Sequence, residues 1–70
     1  MNESVKKFMV DQIIELLGQC TPKQIHLFKQ MYSHENLELP IEEVVQNIQE
    51  EKLEWALTQC QRTVSKNQGL

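Results

Sequence analysis

The stretch Pro40-Ile41-Glu42-Glu43-Val44-Val45-Gln46-Asn47-Ile48-Gln49-Glu50-Glu51-Lys52-Leu53-Glu54-Trp55-Ala56-Leu57 decides the architecture, because it reads either as one long helix or as two. Ile41, Val44, Val45 and Ile48 form one apolar stripe. Leu53, Ala56, Leu57, Cys60 and Val64 form another. On a single rod the second stripe would be turned by roughly 120° from the first, so the two could not share a core and a break is required near Asn47 to Gln49. Asn47-Ile48-Gln49-Glu50 has the form of a capping box, with Asn47 able to end one helix and begin the next. Pro40 suits a helix start, and Glu42 and Glu43 fall in the first turn, where the helix dipole favours carboxylates. The spacing therefore predicts helices over 41–47 and 49–65, with 66–70 a frayed tail.

Upstream, Thr21-Pro22-Lys23-Gln24 carries a strong start signal: a capping Thr, Pro at the tolerated first position, and Gln able to reach back to the cap. Ile25, Leu27, Phe28, Met31 and Tyr32 follow on an arc of roughly 160°, predicting a helix over 22–32. Before it, Val5, Phe8, Met9, Val10, Ile13, Ile14, Leu16 and Leu17 predict a helix over 3–17, capped by Asn2 or Ser4 and closed by Gly18 at C′. These side chains spread over roughly 240°, more than one side of a monomer needs. Ser33 to Leu39 has no stripe, precedes a proline and reads as a loop holding His34 and Asn36.

The fold class is thus all-α, a single domain over 1–70 of four helices. With 70 residues the core is marginal, since small cores rarely contribute more than about 3 to 5 kcal/mol net. Self-association is the simplest supplement. The wide arc of helix one nominates Val5, Phe8, Ile13 and Leu17 as the self-association face of a homodimer, with a central position for helix one as the competing reading. No apolar run is long enough to cross a bilayer, and the polar, acidic N-terminal stretch is unlike a signal peptide, so a soluble cytoplasmic protein is expected.

No motif names a reaction. Cys20, Cys60, His26 and His34 lack the close paired spacing of zinc sites, and the two cysteines are better read as small packing residues than as a cytosolic disulfide. No Ser, Cys or Asp is placed by its sequence spacing to suggest a nucleophile and base with His26 or His34, and so small a bundle leaves little room for a pocket of about 300 Å³. A non-enzymatic protein without metal or cofactor is expected.

Charge is uneven. The formal charge is -3, and the acids concentrate between Glu35 and Glu54, where Lys52 is the one base. Helix-start positions account for much of this. The functional reading is an acidic face of Glu42, Glu43, Glu51 and Glu54 that docks on a basic partner surface. Trp55 lies nearly opposite the Leu53-Leu57-Cys60 stripe. Packing on helix one or near Leu37 and Leu39 is the favoured reading, and an exposed anchor in that partner face is the alternative. A nucleic-acid-binding regulator would have to use Lys23, Lys29, Arg62 and Lys66, but helix four opens with carboxylates where a recognition helix needs bases and amides.

Phe28-Lys29-Gln30-Met31-Tyr32-Ser33-His34, Asn36-Leu37, Leu39-Pro40-Ile41, Val44-Val45, Glu51-Lys52-Leu53 and Trp55-Ala56 together resemble small helical proteins encoded by tailed bacteriophages and prophages. The resemblance spans half the chain and brings no catalytic or binding residue with it. It implies a setting, the cytoplasm of a bacterial host, and an accessory role during infection or lysogeny. The expectation is a phage-type accessory protein, a homodimer that binds a bacterial or phage protein.

Overall fold

A computed structural model describes residues 2–33 and 38–68. His34, Asn36 and Leu37 of the expected loop, and Gly69 and Leu70 of the tail, lie outside the described residues. The described residues form four helices and no strand: α1 Glu3–Leu17, α2 Pro22–Tyr32, α3 Ile41–Gln46 and α4 Glu50–Gln68.

Local chemistry sets these limits. The Asn2 side chain caps α1 by accepting from the Ser4 N–H at 2.7 Å. At α2 the capping box is complete: the Gln24 N–H donates to Thr21 Oγ1 at 3.2 Å, and the Thr21 N–H donates to Gln24 Oε1 at 2.9 Å. Asn47 ends α3, its N–H donating to the Glu43 and Val44 carbonyls. It does not begin α4. That helix opens at Glu50, and the Gln49 carbonyl accepts from the Lys52 N–H at 2.8 Å. Ile48 occupies the break as a buried residue, so the turn itself holds a core side chain.

Two expectations are corrected. Gly18 is right-handed, with φ at −63°. α1 ends through tightened bonds from Gln19 and Cys20 to the Leu16 and Leu17 carbonyls rather than through a left-handed glycine. Helix four does not fray from residue 66 but continues to Gln68. Asn67 and Gln24 exchange amide hydrogen bonds of 2.9 and 3.0 Å, and the Gln68 amide donates to Gln19 Oε1 at 2.8 Å. These tie the last turn of α4 to the α1–α2 corner.

α1 packs chiefly along α4, while α3 lies against both α1 and α2. The core consists of Met9, Val10, Ile13 and Leu17 from α1, Phe28 from α2, Val44, Val45 and Ile48 around α3, and Leu53, Ala56, Cys60 and Val64 from α4. None of the described polar or charged residues is buried among them. The two stripes that demanded a break both point inward, as the 120° argument requires.

Candidate functional site

The sequence nominated one face of α1, and the structure divides it. Ile13 and Leu17 are 0% and 2% exposed; they belong to the core of a single chain and form no face. α3 and α4 both pack on α1 and cover the middle of its wide arc. Only the edge remains open, with Val5 48% and Phe8 61% exposed.

Trp55 is the second correction. It is 52% exposed rather than packed inside, because Leu53, Ala56, Cys60 and Val64 turn the opposite side of α4 to the core. Glu51 and Glu54 are exposed neighbours of Trp55 on that outer side, while Glu42 and Glu43 are exposed on a separate element, the first turn of α3. Lys23, Arg62 and Lys66 are exposed and Lys29 is half-buried.

Sequence reasoning missed the place where α2 and α4 fail to close on each other. A groove of about 300 Å³ opens there, against the expectation that so small a bundle lacks room for one. Leu27 and Met31 form its α2 wall and Gln59, Thr63 and Lys66 its α4 wall, with Cys20 and Cys60 at the floor. Leu27 and Met31 remain 50% and 49% exposed. Met31 also borders a smaller hollow shared with Lys52. Trp55 sits one turn of α4 from Lys52 and one from Gln59. It therefore stands at the level of Met31. Among the described residues no carboxylate lines either opening, and a lysine stands at each: Lys66 in the groove, Lys52 in the hollow. A signal for this was present. Leu27 and Met31 lie at one edge of the α2 arc, and the facing α4 positions are long and polar, unable to seal an apolar seam.

The groove's chemistry is quiet. Burial raises the Cys20 thiol, and burial together with the nearby Cys20 pushes Cys60 up to about 12. Both are neutral thiols at pH 7, without nucleophilic activation. Tyr32 stacks at a tilt on Phe28, ring centroids 4.7 Å apart. Its buried hydroxyl has no hydrogen-bond partner among the described residues. Burial, and after it Cys60, pushes its pKa up. His26 is exposed, with Gln30 Nε2 at 3.4 Å from its Nε2. Among the described residues no three His, Cys, Asp or Glu are grouped so as to hold a metal ion, and no helix is long and apolar enough to cross a membrane. No protein family, curated protein or solved structure matches the chain.

Proposed function

We propose that the chain is a non-enzymatic protein-interaction module, one that self-associates and presents a surface to a protein partner. A single observation carries this reading. Leu27 and Met31, in the wall of a groove that no described carboxylate lines, and Trp55, on the outer side of α4, each keep about half of their surface in water, although the core of so short a chain has every reason to recruit them. Aromatic and Met side chains so placed are the usual anchors of protein interfaces. In the setting implied by the phage resemblance, this is an accessory protein of the bacterial cytoplasm that acts by occupying another protein.

The test pairs solution mass by light scattering over a concentration series with capture from bacterial lysate, comparing the native chain with Leu27→Glu/Met31→Glu. The native chain should self-associate and retain proteins that the variant does not. A native chain that stays monomeric and captures the same material as the variant overturns the reading. A gel shift on duplex DNA that weakens steeply with salt would instead favour a nucleic-acid-binding regulator using Lys23, Lys29, Arg62 and Lys66.

A further inference from the structure

Resting on that interaction reading, we infer that the partner seated on the outer face of α4 is a second copy of this chain, its α4 antiparallel to the first and its Trp55 entering the α2–α4 groove. The outer face carries Glu51, Trp55, Arg62 and Lys66, all exposed. They share an arc of roughly 60°, turned about 150° from the Leu53-Ala56-Cys60-Val64 stripe.

Their order along the helix is self-complementary. Glu51 precedes the point between Thr58 and Gln59 by as many residues as Lys66 follows it, and the same holds for Trp55 and Arg62. A two-fold axis through that point sets Glu51 opposite Lys66 of the second copy and Trp55 opposite its Arg62, each contact occurring twice. Acid meets base at both ends, and an indole meets a guanidinium on either side of the centre, a favourable cation–π pairing. Among the described residues none of Glu51, Arg62 and Lys66 has an ionic partner, so these charges are available.

The groove lies where this arrangement needs it. Gln59, Thr63 and Lys66, which form its α4 wall, surround the level of Arg62, where the second copy's Trp55 arrives. A two-fold axis perpendicular to both helices and to the line joining them keeps the groove side of one copy on the groove side of the other. Trp55 leans toward that side of α4, its position lying between those of Arg62 and Gln59 around the helix. A volume of about 300 Å³ accommodates an indole, and Leu27 and Met31 supply the apolar wall that it would cover. The exposed strip of α1, Val5 and Phe8, takes no part.

The full chain tests this directly, because Trp55 is its one tryptophan and reports its own burial. Sedimentation equilibrium and tryptophan emission are followed together over a dilution series. Mass should double with concentration while emission shifts to the blue, and Trp55→Ala should leave a folded monomer, as an exposed residue permits. Glu51→Lys and Lys66→Glu should each weaken the dimer about tenfold, and the double reversal should restore it to within about threefold, since the exchanged charges again face one another. A dimer that survives Trp55→Ala, or that the double reversal fails to restore, overturns the inference while leaving self-association standing. Loss of the dimer in Phe8→Glu but not in Trp55→Ala also overturns it and moves the contact to α1. A strict monomer overturns it as well, and lysate capture then judges the broader interaction reading separately.

Discussion

Gln24 and Asn67, 43 residues apart in the chain, exchange two amide hydrogen bonds of 3.0 and 2.9 Å, while Gln24 Oε1 also accepts the Thr21 N–H of the capping box. One side chain thus begins α2 and anchors the last turn of α4. Gln24→Ala should lose both and cost about 1 kcal/mol, the usual scale of a lost cap on an exposed helix start. Asn67→Ala loses only the anchor and should cost about 0.5 kcal/mol. Urea denaturation measures both, and hydrogen exchange in the last turn of α4 should speed up in either variant.

Ile13 was a candidate for the self-association face and is a core residue instead. Ile13→Ala and Leu53→Ala each remove a side chain with 0% exposure. Such truncations cost about 2 to 5 kcal/mol, comparable with the whole net stability expected of a domain this small. Both variants should lose most of their helical circular dichroism at 25 °C. Phe8→Ala, at an exposed position, should retain it. A folded, dissociated Ile13→Ala would contradict its place in the core.

Cys60 makes stability depend on pH in the alkaline range. Its folded value of about 12 lies above the roughly 8.5 of a free thiol, so the folded state keeps a proton that the unfolded state releases. The stabilisation is complete below about pH 8.5 and declines as pH rises toward 12. The denaturation midpoint should fall progressively above about pH 8.5. The slope should flatten in Cys60→Ala even though that variant is less stable throughout. Cys20 and Tyr32, both raised, act in the same direction.

Tyr32 has a buried hydroxyl with no partner among the described residues, and leaving such a group unpaired costs about 1 to 3 kcal/mol. Tyr32→Phe keeps the ring against Phe28 and removes that burden. It should raise the urea midpoint at neutral pH by the equivalent of about 1 kcal/mol. A loss of stability would mean that the hydroxyl is paired in solution.

The sequence alone determined the helices, because caps and stripes act within a few residues. Thr21-Pro22-Lys23-Gln24 marked the start of α2, and the mismatch between the Ile41–Ile48 and Leu53–Val64 stripes required two helices in place of one long rod. The limits that moved were those governed by distant residues. α4 gains its last turn from Gln19 and Gln24, which periodicity around residue 66 does not contain.

Which apolar side chains stay exposed was a tertiary decision. Periodicity places Ile13, Leu17, Val5 and Phe8 on one broad arc and Leu27 and Met31 on another. It assigns a direction to each side chain but no neighbour. The packing of α3 and α4 on α1 buried the first pair and left the second at an edge. The polar side chains of α4 opposite Leu27 and Met31 kept the α2–α4 seam open. Trp55 stayed in water because α4 has one inward side and Leu53, Ala56, Cys60 and Val64 occupy it. Helix formation depends on bonds between residues three and four apart, whereas burial depends on which helix arrives alongside, and only the folded chain settles that.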